Sequence, residues 1–279
     1  MKFKLLALDL DGTVLTPDNQ ITPKTVDAIN RALADGIQVA FCSGRCKAEM
    51  EPYFSLFPQL RYVVCNNGTE SFDLRTGEHV HFFGMERWLS DRIMQEAEHH
   101  DVLIQMGADG LYYLQDWTVE RCPEFGLANY AELMQETGKF VHDLVSYYRE
   151  HELPISKINF YCTNWEEREE IVASLQADHL PLMYESGLAG NIEMFATNAG
   201  KGNGLTALCR HLQIPMENVL AMGDSSNDIS MLRAAGFSIA VENAVPELKE
   251  VADAVTGDNA HDGVADAIWN YVLGEQNDR

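Results

Sequence analysis

Short apolar runs alternate with amphipathic helical patterns over both ends of the chain. Residues 4–8 form the first run, and Val26, Ile29 and Leu33 then repeat at helical spacing. A short run without polar alternation is typical of a strand buried on both faces of a parallel sheet. Further strands are predicted at residues 37–41, 62–65, 191–195, 219–222, 238–241 and 254–256. This alternation predicts an α/β fold built on a Rossmann-like, doubly wound parallel sheet.

A different pattern occupies the middle of the chain. Helical patterns at residues 86–100 and 165–177 alternate there with strand-like runs at residues 102–106, 111–114, 157–162 and 182–185. The stretch is rich in aromatic residues, and none of its strands ends in paired carboxylates. We therefore expect an inserted α/β domain, residues 84–187, between the two segments of a core domain, residues 1–83 and 188–279.

The composition is that of a globular protein. With 279 residues, of which 46% are hydrophobic, the chain can fill one large core or two modest ones. No run of about 18 apolar residues indicates a membrane span, and no signal-peptide pattern precedes the first strand. Six cysteines without a C-x-x-C pair indicate reduced thiols. The expected location is therefore the cytoplasm.

The net charge of −23 restricts the possible partners. It opposes binding to nucleic acid and to anionic membranes, and no basic cluster offsets it. It also works against an anionic substrate. A phosphate ester would therefore need local positive charge from a metal ion, a lysine and backbone N–H groups. The oligomeric state is not readable from the sequence.

Two carboxylates follow the first predicted strand. Side chains alternate between the two faces of a strand, so the side chains of Asp9 and Asp11 are expected to point to the same side as the strand ends. Ligands of open α/β sheets bind beyond the carboxyl ends of the strands, and two carboxylates there repel each other unless a divalent cation binds. A calcium loop starting at Asp9 is excluded, because Val14 and Gln20 would occupy its sixth and twelfth positions. The pattern favours an aspartyl catalytic site.

Two later turns carry groups that suit a phosphate. Ser43 and Gly44 follow the second strand, where the serine hydroxyl and both backbone N–H groups can donate to a phosphate oxygen. Lys201 begins a helix in a segment that does not match a Walker loop. A lysine in that position is often simply exposed, so its role depends on the rest of the site.

The strand at residues 219–222 also ends in acidic and amide groups. Asp224 follows it directly, and Asn227 and Asp228 begin the next helix. The latter two could also be ordinary helix caps.

The motifs occur in a characteristic order. They are D-L-D-G-T at 9–13, S-G-R at 43–45, K-G at 201–202 and G-D-S-S-N-D at 223–228. With them, the whole chain resembles the haloacid dehalogenase-like phosphohydrolases, in particular the Cof-type branch, whose α/β cap lies between the second and third motifs. The segments N-A-x-x-E-L-K at 243–249 and N-x-x-D-G-V at 259–264 are also similar to this branch.

This resemblance implies a role for each matching residue. Asp9 is implied to be the nucleophile that takes the phosphoryl group, and Asp11 the general acid and then the general base. Mg²⁺ is the implied cofactor, held by the Asp9 carboxylate, the Asp11 backbone carbonyl and Asp224. The implied phosphate or substrate contacts are Leu10, Ser43, Gly44, Lys201 and Asn227. Arg45 and Asp228 are implied to support these groups from behind, Asp228 by orienting Lys201 and metal-bound water.

The chemistry of these residue types agrees with the implied roles. A carboxylate is a poor nucleophile toward a phosphate anion unless a cation bridges the two, and Mg²⁺ prefers carboxylates, water and substrate phosphate as ligands. Three places depart from the family pattern. Ser43 replaces a common threonine, Ala196 and Asn198 replace a proline and a glycine before Lys201, and Glu242 replaces a common glycine.

The expected activity is magnesium-dependent hydrolysis of small phosphate monoesters, such as sugar phosphates or phosphorylated cofactors. Two other classes stay open: a sugar phosphomutase that uses the same aspartate, and a non-catalytic sugar-phosphate-binding protein. The inserted domain is expected to choose the substrate. Tyr112, Tyr113 and Phe160 are the side chains expected to matter for that choice.

Overall fold

Strands and helices alternate along the protein, whose computed structural model describes residues 2–185 and 190–274. The strands of these residues are, in chain order, β1 (Leu5–Leu8), β2 (Gln38–Cys42), β3 (Tyr62–Cys65), β4 (Glu70–Asp73), β5 (His79–Phe82), β6 (Val102–Ala108), β7 (Leu111–Gln115), β8 (Gly138–Val141), β9 (Ile155–Cys162), β10 (Leu182–Glu185), β11 (Asn191–Ala196), β12 (Val219–Gly223), β13 (Phe237–Ala240) and β14 (Ala254–Val255).

Helices connect most of these strands. They are α1 (Pro23–Ala34), α2 (Lys47–Phe54), α3 (Arg87–Ala97), α4 (Thr118–Arg121), α5 (Ala131–Thr137), α6 (Leu144–Glu150), α7 (Trp165–Ala177), α8 (Lys201–Leu212), α9 (Ile229–Ala234), α10 (Pro246–Val251) and α11 (Gly263–Ala267). A π-helical segment, Ile268–Leu273, continues α11. Among the described residues, every helix is too short or too polar to cross a lipid bilayer.

The first sheet has eight strands in the order β14-β13-β12-β1-β2-β3-β4-β5. Neighbours from β14 to β3 are parallel, and β1, at the centre, is buried along its whole length. The chain leaves β1 toward β2 through α1, and it leaves β12 in the opposite direction toward β13 through α9. Right-handed crossovers in opposite directions place the helices on opposite faces of the sheet. The predicted doubly wound α/β sheet is therefore confirmed.

An antiparallel hairpin extends one edge of this sheet. β4 pairs antiparallel with β3, and β5 pairs antiparallel with β4. The sequence analysis did not predict this hairpin, because its strands, ESFD and HVHF, mix polar and apolar residues and lack an apolar run.

The second sheet has six strands in the order β10-β11-β9-β6-β7-β8. All of its pairs are antiparallel except β7 with β8. One face is apolar and packs against α3, α6 and α7. The opposite face carries polar side chains along β6, β9 and β11: Gln105, Lys157, Asn159, Tyr161, Asn191 and Glu193. We call these six residues the polar sheet face.

The three aromatic residues expected to affect substrate choice lie on different faces of the second sheet. Tyr113 and Phe160 belong to the apolar cluster beneath the helices. Tyr112 lies on the other face, where the Lys157 ammonium is 5.5 Å from the centre of its ring. Substitutions at Tyr113 and Phe160 are therefore expected to change packing first, whereas Tyr112 lies on the same side of the sheet as the polar sheet face.

The contacts divide the chain into two compact units. The first unit comprises Met1–Arg45, Met50–Phe82 and Gly200–Arg279, and the second comprises Cys46–Glu49 and Phe83–Ala199. The predicted boundary between residues 187 and 188 lies outside the described residues. Residues 190–199, which were predicted in the core domain, belong to the second unit, because β11 pairs with β9 and β10. A strand-like pattern does not tell which sheet the strand joins.

Candidate active site

Asp9 and Asp224 lie where connections leave the first sheet in opposite directions. β1 and β12 are neighbours, and each is followed directly by one of these aspartates. The Asp9 backbone N–H donates to the Met222 carbonyl oxygen over 3.0 Å, so the pairing of the two strands continues up to Asp9. Such a switch point forms a crevice beyond the strand ends, where open α/β sheets bind their ligands.

Lys201 is a buried cation in this crevice. It is the first residue of α8, its side chain is 1% exposed, and its Nζ donates to Asp9 Oδ1 and to Asp228 Oδ1, each over 2.6 Å. Burial alone would lower the pKa of Lys201, but the carboxylates of Asp228 and Asp9 outweigh it and raise the pKa. Lys201 therefore stays charged, and the alternative of an exposed surface lysine is wrong.

Asp228 supports the site with both of its oxygens. Oδ1 accepts from Lys201, and Oδ2 accepts from the backbone N–H groups of Asp224 and Ser225 over 3.0 and 3.1 Å. The side chain is completely buried. Asp228 thus holds the Lys201 ammonium, and it also caps the turn that carries Asp224.

Two carboxylate oxygens in the crevice have no hydrogen-bond partner among the described residues. They are Asp9 Oδ2 and Asp224 Oδ1, and both are buried. Asp9, Asp224 and Asp228 each offer an oxygen within 4.8 Å of the others. Because both Asp228 oxygens are already engaged, the two unpaired oxygens are the natural ligands of a cation. An oxygen-only donor set of this kind fits Mg²⁺.

Burial and mutual repulsion raise the pKa of both aspartates. Burial is the larger cause for Asp9, whose pKa lies well above 3.8, and the Asp228 charge adds to it. Burial, followed by the Asp228 charge, raises the pKa of Asp224 from 3.8 to about 6. A bound divalent cation would favour the ionised forms and reverse both effects.

Gly12 makes room for Asp224. Its φ of +78° is a left-handed conformation that favours glycine, and a Cβ at this position would lie 2.2 Å from Asp224 Oδ2. The glycine of the D-L-D-G-T motif is therefore required both by the backbone turn and by the carboxylate packed against it.

Asp11 points its carboxylate to Arg45. The Arg45 guanidinium donates to both Asp11 oxygens, with Nε to Oδ2 at 2.9 Å and Nη2 to Oδ1 at 2.5 Å. The Asp11 side chain is 52% exposed, whereas that of Arg45 is 14% exposed. Asn19 and Tyr53 give the guanidinium further contacts, at 3.3 and 3.5 Å. Arg45 thus holds the carboxylate of Asp11, the residue expected to be the general acid.

In the turn after β2, one of the three groups expected to donate to a phosphate, the Ser43 backbone N–H, has another partner. The Ser43 backbone N–H donates to the Val64 carbonyl oxygen over 2.9 Å, so it belongs to the sheet and cannot also serve a phosphate. The Ser43 hydroxyl oxygen accepts from the Arg45 N–H over 3.2 Å, which leaves the hydroxyl hydrogen to donate. Gly44 follows in the same turn. The side chain of Leu10 is buried in the core, so only its backbone can contribute to the site.

Asn227 has an amide oriented from both ends. Its Oδ1 accepts from the Ser225 hydroxyl over 2.7 Å, and its Nδ2 donates to Asn67 Oδ1 over 3.1 Å. The sequence analysis assigned no role to Asn67, although it lies in an N-N-G turn at the carboxyl end of β3. The polar turn at a strand end was the signal that could have identified it.

Two asparagines brace the loop after β1. The Asn243 amide donates to the Gly12 carbonyl oxygen over 2.7 Å, and the Asn259 amide donates to the Leu15 carbonyl oxygen over 2.7 Å. The motifs at 243–249 and 259–264 therefore have a structural function. The Glu242 side chain is exposed and lies 3.8 Å from the Lys249 ammonium, outside the crevice groups described above.

A pair of glycine substitutions tests whether Asp224 needs the space beside Gly12. Gly12→Ala and Gly77→Ala each place alanine at a left-handed φ, +78° and +76°, which costs about 1–2 kcal/mol. Only the first creates a clash, since nothing lies within 4 Å of a Cβ at Gly77. We expect Gly12→Ala to lose the Mg²⁺-induced rise in Tm and Gly77→Ala to keep it. The same rise in both variants would contradict the assignment.

The pKa of Asp224 predicts how metal binding depends on pH. The folded protein holds this proton up to about pH 6, whereas the ordinary pKa is 3.8. In the metal-free protein, the contribution of this proton to the free energy of unfolding is fully present below pH 3.8. It is lost as the pH rises through about 6. Mg²⁺ must displace the proton at low pH.

We therefore expect a larger Mg²⁺-induced rise in Tm at about pH 7.5 than at about pH 5, because less proton displacement is needed. Asp224→Asn should show no such rise at either pH. Thermal unfolding with and without Mg²⁺ measures both. A rise of the same size at the two pH values would mean that the carboxylate is not a metal ligand.

Comparison with known proteins shows the family of this chain. The profile of the haloacid dehalogenase-like hydrolases matches residues 6–268. Pyridoxal phosphate phosphatase YbhA of Escherichia coli is 26% identical over 278 residues, which cover 98% of this chain and 100% of the relative. The 5-amino-6-(5-phospho-D-ribitylamino)uracil phosphatase YcsE of Bacillus subtilis is 28% identical over 270 residues, which cover 97% and 96% of the two chains.

A solved structure extends the likeness to three dimensions. A haloacid dehalogenase-like hydrolase from B. subtilis superimposes with a TM-score of 0.81 at 26% identity, over 97% of this chain and 100% of that one. The predicted fold is confirmed, and the phosphatase names of the relatives confirm the predicted class of phosphoric monoester hydrolase. The chain belongs to the haloacid dehalogenase-like hydrolases.

Proposed function

We propose that this chain is a magnesium-dependent phosphatase that hydrolyses small phosphate monoesters through an aspartyl phosphate on Asp9. The observation that carries the proposal is the pair of buried, unpaired oxygens, Asp9 Oδ2 and Asp224 Oδ1, beside the buried Lys201 ammonium. Phosphoryl transfer depends mainly on positioning and on neutralising the charge of the phosphoryl oxygens. A cation and a lysine at this crevice supply that charge within an otherwise acidic protein.

The relatives narrow the kind of substrate. Their names refer to pyridoxal phosphate and to a phosphoribitylamino uracil, each a small molecule with a single phosphate ester. We infer a substrate of the same kind, a phosphorylated cofactor or sugar phosphate. The net charge of −23 also favours a small molecule over nucleic acid. Six buried free thiols support work in the reducing cytoplasm.

Asp9 is proposed to attack the phosphorus atom. Lys201 donates to Oδ1 and Oδ2 would hold the metal ion, so the carboxylate cannot rotate freely, and Oδ1 is the oxygen that forms the new bond. The bond between phosphorus and the ester oxygen breaks as the new bond forms, and water then attacks the same phosphorus and releases Asp9 with inorganic phosphate. Mg²⁺ held by Asp9 and Asp224 would screen the charge between the carboxylate and the phosphate.

Asp11 is proposed to give its proton to the departing ester oxygen and later to take one from the attacking water. Its carboxylate oxygens both accept from Arg45 in the structure. Protonation of Asp11 would turn this ion pair into a weaker contact between a charge and a neutral group. Arg45 can therefore release the acid when it carries the proton to be donated.

The phosphate oxygens are proposed to contact four groups around the crevice. These are the Ser43 hydroxyl, the Gly44 backbone, the Lys201 ammonium and the Asn227 amide. Leu10 would contribute through its backbone. All of them belong to the first unit, on loops that follow its strands or on the first turn of α8.

We also propose that the second unit takes part in substrate choice through its polar sheet face. Asn159 is the supporting observation, because its Oδ1 is buried and has no hydrogen-bond partner among the described residues. Its amide nitrogen donates to Gln105 over 2.8 Å, and the neighbouring Lys157 pairs with Glu193 at 2.9 Å. An unpaired oxygen beside an ion pair suits a substrate group that donates a hydrogen bond.

The nucleophile is tested by Asp9→Asn. We expect kcat for p-nitrophenyl phosphate to fall at least about 1,000-fold, because an amide cannot form the acyl phosphate. Asp27→Asn, an exposed position on α1, is the matched control and should keep the wild-type rate. Chelation should stop the wild-type enzyme, and Mg²⁺ should restore it. Hydrolysis that survives in pure Asp9→Asn protein, or after thorough chelation, would reject the proposal.

The polar sheet face is tested by Asn159→Ala. We expect the ratio of kcat/KM for pyridoxal 5′-phosphate and a sugar phosphate to change about 2- to 10-fold, which corresponds to one hydrogen bond. Ile158→Val, on the opposite face of the same strand, should lower stability by about 0.5–1.5 kcal/mol and leave the ratio unchanged. Equal effects of Asn159→Ala on both substrates would argue against a role in selection.

A further inference from the structure

The turn after β3 has an unusual backbone. Asn66, Asn67 and Gly68 follow one another with φ values of 48°, 54° and 84°, so that all three are left-handed. Asparagine tolerates this region better than most residues, but two in succession still cost free energy. Such strain persists only where the surroundings fix it, and it concentrates at functional sites.

Buried groups on one side hold this turn in place. The Asn66 amide donates to Glu70 Oε1 over 2.7 Å, and Glu70 is completely buried. The other Glu70 oxygen lies 3.0 Å from His79 Nε2. His81 Nε2 lies 3.1 Å from the Gly68 carbonyl oxygen. The β4–β5 hairpin therefore fixes the turn from behind.

On its other side, Asn67 contacts three loops of the crevice. Its backbone N–H donates to the Ser43 carbonyl oxygen over 3.0 Å, and its carbonyl oxygen accepts from the Gly200 N–H over 2.9 Å. Its side-chain Oδ1 accepts from Asn227 Nδ2 over 3.1 Å. One residue thus joins the loops that carry Ser43, Lys201 and Asn227.

The approach of these loops leaves no spare room. A Cβ on Gly68 would lie 2.1 Å from the Gly200 carbonyl oxygen, and a Cβ on Gly44 would lie 3.0 Å from Asn67 Oδ1. A shift of Asn67 would therefore displace its neighbours. An asparagine in an isolated turn commonly bonds its own nearby backbone, whereas the Asn67 oxygen bonds an amide 160 residues away.

We propose that Asn67 is a positioning residue that sets the spacing of the phosphate-binding groups, acting mainly by aiming the Asn227 amide. The Ser225 hydroxyl already holds Asn227 Oδ1, so the contact with Asn67 fixes the other end of the amide, its Nδ2. One N–H group of Nδ2 donates to Asn67, which leaves the second N–H group for the phosphate. The proposal rests on the phosphatase function, since it names how that site holds its phosphate. A misplacement of about 1 Å at such a site can cost about 100-fold in rate.

The test is a double-mutant cycle of Asn67→Gly and Asn227→Ala. Glycine keeps the left-handed backbone and its two hydrogen bonds, so only the Asn67 amide is removed. We expect each single variant to lower kcat/KM for p-nitrophenyl phosphate about 10- to 100-fold and to weaken inhibition by inorganic phosphate. The double variant should be no worse than Asn227→Ala, because the second change removes an interaction that is already lost.

Gln213→Gly is the matched control. Gln213 is also left-handed, with φ of 55°, and lies in the first unit at the other end of α8. This variant should keep wild-type kcat/KM and Tm. If Asn67→Gly does not fold, Asn67→Asp replaces it, because aspartate keeps both the tolerance for this backbone and an acceptor oxygen. Asn227→Ala should then still lower kcat/KM in the Asn67→Asp background.

Additive effects in the cycle would overturn the positioning role, as would wild-type kinetics of Asn67→Gly. A wild-type enzyme that hydrolyses no phosphate ester with Mg²⁺ would instead refute the proposed function. In that case the affinity for inorganic phosphate is measured by calorimetric titration for the wild type, the two single variants and the double variant. Non-additive losses of phosphate affinity would support the proposal, and additive losses would overturn it.

Discussion

Three clustered carboxylates, those of Asp9, Asp224 and Asp228, lie beside one buried ammonium, that of Lys201, at the carboxyl end of the first sheet. Asp9 and Asp228 both bind Lys201, while one oxygen of Asp9 and one of Asp224 keep no partner among the described residues. Removing such charges from water costs several kcal/mol each unless they are paired, and one lysine cannot balance three carboxylates. We propose that a ligand with a compact positive charge offsets this excess of negative charge, and that the phosphate of a substrate then binds to that ligand.

The groups that create this imbalance could be predicted from the sequence, because each follows from a local pattern. Asp9 and Asp224 each end an apolar run, and parallel strands bring such ends to one edge of a sheet. Lys201 was identified by its place at the start of a helix within an ordered set of motifs. The family resemblance supplied their roles, and the structure supplied the reason why Gly12 must accompany them.

Features that depend on distant contacts were not predictable in the same way. The strand pattern of β11 is as clear as any other, yet its partners β9 and β10 place it in the second sheet. The β4–β5 hairpin has no apolar run. The contact between Asn67 and Asn227 joins residues 160 positions apart, so neither side chain reveals it locally. In each case the missing information is which segment lies beside which, and no short motif contains it.

The most direct measurement of the central claim is the position of a bound divalent ion. Crystals soaked with Mn²⁺, an oxygen-seeking substitute for Mg²⁺, would give an anomalous difference signal. The account predicts a single strong peak that contacts both Asp9 Oδ2 and Asp224 Oδ1, with Lys201 still bound to Asp9. A peak elsewhere in the molecule, or an empty crevice at saturating Mn²⁺, would contradict it.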